Sequence, residues 1–527
     1  MWDRFDRRMS LLKIWIILAA VALPGLLIRL PSNPMPWFDE GINTNTAMTL
    51  ASHGVYGTAS SDGYNRFDTS ITSGPPLILP MAAVFKVFGP GMFQARIVST
   101  FYALLALGMV VLTVARWWGQ LTALLTTFIL VSFPSIAGIG FTSLARQAMG
   151  ETASLAYFMV GVLLWMAAIE RDENWRRIAS GGMFGLAVLA KMQSGLSILP
   201  GLMVMAVILA WGRPRRAWLE QFLPLFVAVF TVGIWMLIAF VGTPPADRLM
   251  SGDVQWSAMR LLIIPGVLSR TTSRGLLAIG LVMAVSLLVT MPAWRRTLTG
   301  SRTGSAVDHG RALLGMVVAF DLVWVLGLSI GWPRYAYLGL MLSIILLASA
   351  VVAAVSTWWS GGPGEEKSGL RGLARAGSGV LVIAVLLTPT IHALGGRAHD
   401  PGALMAAYID AKVPRGVVIE SWEWQIDAIS AHRMFRHPDH MTMLKAISAQ
   451  FIVGADSDLN YPIEEPEPTY LLVGPFGAWT GIYAGWLGSG GYQEIHREGP
   501  YILYAAKDRC LSLSVPIPAL PWDRGAS

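Results

Sequence analysis

Long uncharged apolar runs alternate along this chain with short polar segments that hold most of the arginines and lysines. A helix needs roughly 20 apolar residues to cross a bilayer core. On that measure the pattern predicts about eleven spans, at 11–30, 93–114, 121–139, 153–169, 178–190, 196–211, 222–241, 276–291, 312–330, 335–355 and 379–394. The apolar run 77–88 is too short to cross. Pro76 and Gly89-Pro90 bound it, so it predicts a helix lying at the membrane surface. Three stretches are polar enough to stand outside the bilayer: 31–76, 242–274 and everything after about 396. In the last, 417–419, 470–473 and 501–504 predict strands, and 405–411 and 441–447 predict short helices. The expected architecture is therefore an α-helical polytopic membrane unit, 1–396, with a small α/β domain, 397–527.

Composition agrees with this reading. The chain is 54% hydrophobic and 13% charged, where soluble domains carry about 25% charge. The net charge of +7 does not point to nucleic acid, because the basic residues sit in short loops at the inner ends of the even-numbered spans. That is the positive-inside pattern, and it predicts a multi-pass plasma-membrane protein with a cytoplasmic N-terminus and an extracytoplasmic C-terminal domain. Arg4, Arg7, Arg8 and Lys13 precede the first span as they would a signal peptide, but no small-residue cleavage site follows, so the span is expected to stay. Cys510 alone excludes an internal disulfide framework. No internal repeat is visible, which counts against an inverted-repeat transporter.

The candidate chemistry starts at Pro36-Trp37-Phe38-Asp39-Glu40-Gly41, just beyond the first span. A carboxylate there can serve as a general base if its site is partly desolvated. The bland alternatives are a solvated loop or a helix beginning near Gly41 with Asp39 as its cap. Glu151 lies at the outer mouth of the fourth span, with Arg146 a possible ion-pair partner. Lys191 interrupts an apolar stretch, Arg334 stands at another outer helix boundary, and Arg96 enters the second span on the same side. Cations beside carboxylates on one membrane face suit a phosphate-bearing substrate with a reacting hydroxyl. His432, His437 and His440 are spaced loosely, and solvated loop histidines explain them better than a metal site does. No Walker loop, dinucleotide fingerprint or nucleophile elbow appears.

Three stretches resemble the polytopic GT-C glycosyltransferases of the protein mannosyltransferase and aminoarabinose transferase group. These are Trp37-Phe38-Asp39-Glu40-Gly41; the segment from Ser73-Gly74-Pro75-Pro76 through Phe93-Gln94-Ala95-Arg96; and Gly185-Leu186-Ala187 leading to Lys191, with Arg334-Tyr335 adding a late pair. The resemblance implies transfer of a sugar, with inversion, from a polyprenyl-phosphate donor to an acceptor outside the cytoplasm. Asp39 is then the leading catalytic base, with Glu40 and Glu151 as further acidic residues and the loop 31–76 as the catalytic loop. Arg96, Lys191 and Arg334 become candidates for the donor phosphate. Many relatives carry Lys or His before the proline pair, where this chain has Ser73-Gly74, so His53 or Arg66 is expected to share the phosphate. No cofactor is required, a divalent metal is compatible but not indicated, and the acceptor (protein, lipid or glycan) stays open. The alternative is a transporter or a non-enzymatic assembly partner for lipid-linked glycans.

Overall fold

The computed structural model describes residues 16, 20, 22–132, 138–263, 274–299, 305–360, 400–432, 434–451, 461 and 467–507. Among them, seven helical segments are long and apolar enough to cross a membrane, the first Met92–Trp118 and the last Pro333–Val355. In chain order the membrane unit holds α1 (Phe38–His53), a hairpin of β1 (Gly57–Ser60) and β2 (Gly63–Arg66), α2 (Pro75–Phe88), α3 (Met92–Trp118) and α4 (Gln120–Ser132). There follow α5 (Gly150–Arg171), α6 (Asn174–Ala190), α7 (Gly195–Ala210), α8 (Arg215–Gly242), α9 (Arg248–Leu262), α10 (Arg274–Thr299), α11 (Ala306–Val323) and α12 (Tyr337–Ser360). A single apolar cluster runs through this unit, from Leu26 and Leu77 through Phe158 and Phe184 to Leu346.

Several expectations shift. The fifth span is the 17-residue α6, which turns back beside α5 through Asp172, whose φ is 53°. It falls short of the about 20 residues a span needs. The third span is described only as the 13-residue α4. The predicted external loop 242–274 contains a further helix, α9, whose Val254 and Leu261 pack with Leu444 and Ile330. Most of the first span, the eleventh span and the boundary at 396/397 lie outside the described residues. The short apolar run forms α2 with Pro75 and Pro76 opening it, a position that needs no backbone N–H. Its Val87 and Phe88 are 72% and 71% exposed, as an interfacial helix requires.

The C-terminal region adds α13 (Pro401–Lys412), β3 (Ile419–Ser421), α14 (Trp424–Ile429), β4 (Phe435–Arg436), α15 (His440–Phe451), β5 (Tyr470–Val473), β6 (Tyr492–Glu498) and β7 (Tyr501–Ala506). The sheet order is β4-β3-β5-β7-β6, with β4, β3 and β5 parallel and β5, β7 and β6 antiparallel. β5 is buried at every position, so its continuous Tyr-Leu-Leu-Val run is what an inner strand demands. β6, Tyr492-Gln-Glu-Ile-His-Arg-Glu, is a largely exposed edge strand and too polar to read as one from sequence.

This region is clamped onto α1. Gly41 meets the backbone of α14 so closely that a Cβ there would lie 2.2 Å from the Trp424 carbonyl carbon. Phe38 and Trp37 pack on Phe476, with ring centroids 4.6 and 5.2 Å apart. Asn45 Nδ2 donates to Asp427 Oδ2 at 2.8 Å, and Ser61 N donates to the Phe435 carbonyl at 2.7 Å. His440 Nδ1 lies 2.7 Å from Thr69 Oγ1. Burial holds the His440 imidazole below its usual 6.5, against the opposing pull of Asp68 and Asp439.

A base whose pKa falls on burial contributes stability that is complete above its free value and lost as pH falls through it. Acidification through about 6.5 is therefore expected to loosen the contact between α15 and the external loop. Hydrogen exchange over 68–72 should rise on acidification in the wild type and stay level in His440→Gln.

Candidate active site

The two adjacent carboxylates face different surroundings, because successive residues of a helix point about 100° apart. Trp37 caps α1, so Asp39 and Glu40 both lie inside the first turn and Asp39 is not the cap. Glu40 is fully committed. Arg96 grips it bidentately, Nε to Oε1 at 2.9 Å and Nη2 to Oε2 at 2.7 Å, and both side chains are buried completely. Glu40 also accepts from Trp37 N at 3.0 Å and from Ala148 N at 2.6 Å. Arg96 Nη1 donates to the Leu30 and Pro34 carbonyls, both at 2.8 Å. The pair joins the end of the first span, α1, α3 and the turn before α5. Neither member presents a free group to a substrate, so both are spent on holding the turn.

Asp39 is bonded quite differently. Its Oδ2 lies 2.5 Å from Arg334 Nη1, at a boundary 300 residues away in sequence, and the carboxylate is 3% exposed. Arg334 lies over the Trp332 ring at 4.7 Å, and Trp332 and Tyr335 pack with α9 and α15. Glu151, in the first turn of α5, pairs with Lys191 Nζ at 3.0 Å, and both are buried. Arg146 does not pair with Glu151: it donates instead to the Asn33, Ile28 and Gly25 carbonyls. Burial, with Arg96 nearby, lowers Arg146 to about 10.

Lys191 reaches Glu151 because α6 ends beside the start of α5. A Cβ on Gly150 would meet the Ala190 carbonyl at 2.0 Å, so only glycine admits this approach. Ser73 Oγ ties the same junction, accepting from Gly150 N at 3.0 Å and from Asn43 Nδ2 at 3.1 Å. Ser73 is thus used for packing.

Glu151, Lys191 and Arg334 line a narrow cleft, with about 20 Å³ of free space, together with Ser154, Ser194 and Asp321. Asp39 Oδ2, both Glu151 oxygens, and Arg334 Nε and Nη1 are buried without a well-directed hydrogen bond among the described residues. Each carboxylate keeps its cation within ion-pair distance, so the charges are paired while part of their hydrogen-bonding capacity is unfilled. Burial also makes these charges act more strongly than they would in water.

The other expected residues lie elsewhere. His53 lines a second cleft, and Arg66 is exposed on the hairpin. Each histidine of the loose trio has its own contact: His432 with the Val417 carbonyl, His437 with the Ser421 carbonyl and stacked on Trp424, and His440 with Thr69. Among the described residues no group of three or more His, Cys, Asp or Glu is placed to hold a metal.

Residues 73–240 match the family described as dolichyl-phosphate-mannose-protein mannosyltransferase. That match covers about a third of the chain and lies within the membrane unit. Its fold is similar to that of ArnT from Cupriavidus metallidurans bound to undecaprenyl phosphate, with a TM-score of 0.58 at 16% identity over 93% of this chain and 97% of that one. The same enzyme in the apo state gives 0.57 at 15% identity, over the same 93% and 97%. The archaeal oligosaccharyltransferase AglB from Archaeoglobus fulgidus, in complex with an inhibitory peptide and a dolichol-phosphate, gives 0.54 at 13% identity over 96% and 75%. No curated protein matches the chain significantly.

One residue lining the first cleft is not among those the sequence singles out. Asp321 is buried inside α11, accepting from Gly339 N at 3.2 Å, one turn before the helix relaxes into the π turn Trp324–Leu328. The signal was present, since a carboxylate within an apolar span is expensive and usually functional.

Removing one member of a buried ion pair leaves a stranded charge, at about 3–5 kcal/mol. Arg96→Ala and Glu40→Ala are each expected to cost that much, read as loss of thermal stability in nanodiscs. The double variant Glu40→Gln/Arg96→Met should cost clearly less than the two single losses added together.

Proposed function

We propose that this enzyme transfers a sugar from a polyprenyl-phosphate carrier to an acceptor on the extracytoplasmic side, with inversion and with Asp39 as general base. The observation that carries the reading is the meeting of two buried carboxylate–cation pairs, Asp39–Arg334 and Glu151–Lys191, around one cleft. The carrier class is supported by the family match over 73–240 and by similar folds solved with undecaprenyl phosphate and dolichol-phosphate.

In this mechanism the acceptor hydroxyl oxygen attacks the anomeric carbon as the bond from that carbon to the phosphate oxygen breaks. The hydroxyl proton passes to Asp39. The phosphate leaves with the electron pair and gains one negative charge, which Lys191 and Arg334 neutralise in a site screened from water. Before the donor arrives the two carboxylates hold these cations in place. Once the phosphate draws Arg334 to itself, Asp39 is left free to accept a proton. His53 and Arg66, distant from the cleft lining, take no part in this reading, and Glu151 acts by positioning Lys191. Nothing in the chemistry requires a nucleotide, and a divalent metal is optional. With the N-terminus cytoplasmic, the loop 31–76 and the domain 397–527 form the external wall of the site.

Purified wild type and variants, supplied with polyprenyl-phosphate sugars, test this by transfer or by hydrolysis to water. Losing a general base costs about 10²- to 10⁴-fold, so Asp39→Asn should fall that far when assayed at a temperature where the variant, destabilised by the loss of its Arg334 partner, is still folded. Lys191→Met should lose about 10²- to 10³-fold, as removal of a charge-stabilising donor does. Equal turnover by Asp39→Asn and wild type would end the assignment.

A further inference from the structure

A second cleft, of about 280 Å³, opens along the C-terminal half of α1 and shares no lining residue with the first. Its walls come from three parts of the fold: Asn45, Met48, Thr49, Ser52 and His53 on α1, Ala59, Ser60 and Tyr64 on the hairpin, and Asp427 on α14, with Pro90 at the end of the interfacial helix. The size is close to the lower end of small-molecule sites, about 300 Å³.

The lining selects a chemical class. It contains no lysine or arginine, so nothing there compensates a phosphate or a carboxylate. It does contain three hydroxyl side chains, an imidazole, a phenol and one carboxylate, a set that both donates and accepts hydrogen bonds. The Tyr64 and His53 rings face one another at 5.0 Å, and both residues are exposed, offering flat apolar surface beside the polar groups. Ser52 Oγ and both His53 ring nitrogens make no hydrogen bond among the described residues. Asp427 is held rigidly, taking 2.8 Å from Asn45 Nδ2 with His437 Nε2 at 3.4 Å. A fixed carboxylate, scattered hydroxyls and an aromatic edge match the alternating polar rims and apolar faces of a neutral sugar.

Position adds a second argument. Asn45 follows Asp39 by six residues, about 9 Å along a helix axis. One rigid rod thus carries the proposed base in its first turn, ion-paired to Arg334 of the first cleft, and lines the larger cleft with its last turns.

We propose that this cleft is a carbohydrate-binding subsite that holds the saccharide part of the acceptor. Its acceptor role rests on the transfer reaction proposed above; its carbohydrate specificity does not.

The test applies the full chain in nanodiscs to an array of neutral, amino and acidic glycans, then titrates the strongest binder by calorimetry. Neutral glycans should bind, and acidic ones of equal length should not. Ser52→Trp, which fills the cleft from an exposed position, should abolish binding, and Tyr64→Ala should weaken it about tenfold. Both variants should hydrolyse polyprenyl-phosphate sugar within twofold of wild type. No glycan binding, preference for acidic glycans, or binding that survives Ser52→Trp would overturn the subsite. Specific neutral-glycan binding without any donor hydrolysis in the wild type would instead overturn the transfer reaction and leave the subsite standing.

Discussion

A carboxylate taken out of water must be given a cation or enough hydrogen bonds to replace its hydration. In this protein that demand is met in opposite ways at two adjacent residues. Glu40 receives a bidentate guanidinium and two backbone N–H groups, leaving its oxygens saturated. Asp39 Oδ2 receives one guanidinium contact and, among the described residues, no further well-directed hydrogen bond. A helix turn separates the two fates by rotating one side chain towards α3 and the other towards the loop before α12. The saturated pair fixes the position of the turn; in the proposed reaction the other carboxylate takes the acceptor proton.

Everything around α1 serves to hold that turn still. The C-terminal region presses α14 against Gly41 and stacks Phe476 on Phe38 and Trp37. On the membrane side, Ser73 and Gly150 bring α5 and α6 together, so that Glu151 and Lys191 face the same space as Arg334. The aromatic group Trp332 and Tyr335 links the Arg334 loop back to α15 through α9. The C-terminal region is thus part of the scaffold around Asp39, because its removal would expose that carboxylate to bulk water and weaken the charge interactions there.

Much of this was legible in the chain, for stated reasons. Apolar length reports membrane helices well, so α3, α5, α8 and α12 follow their predicted spans closely. Ionisable residues at helix mouths are costly enough to be conspicuous, which made Asp39, Glu151, Lys191 and Arg334 readable as a group. Pairing was not legible. Arg146 sits five residues from Glu151 yet spends its donors on carbonyls near 25–33, and Lys191, forty residues on, takes the carboxylate. Glu40 and Arg96 look like reactive groups in sequence because saturation is a property of three-dimensional neighbours alone. The helix α9 was missed because its apolar face is only half its surface, and β6 because edge strands tolerate polar residues.

The central claim is that Arg334 and Lys191 are held by carboxylates until a lipid phosphate replaces those partners. An experimental structure with polyprenyl phosphate bound tests this most directly. The account predicts phosphate oxygens on the Arg334 guanidinium and the Lys191 ammonium, Asp39 released and open to the acceptor side, and Glu40 still locked to Arg96. A phosphate seated against His53 or Arg66, with the Asp39–Arg334 contact intact, would contradict it.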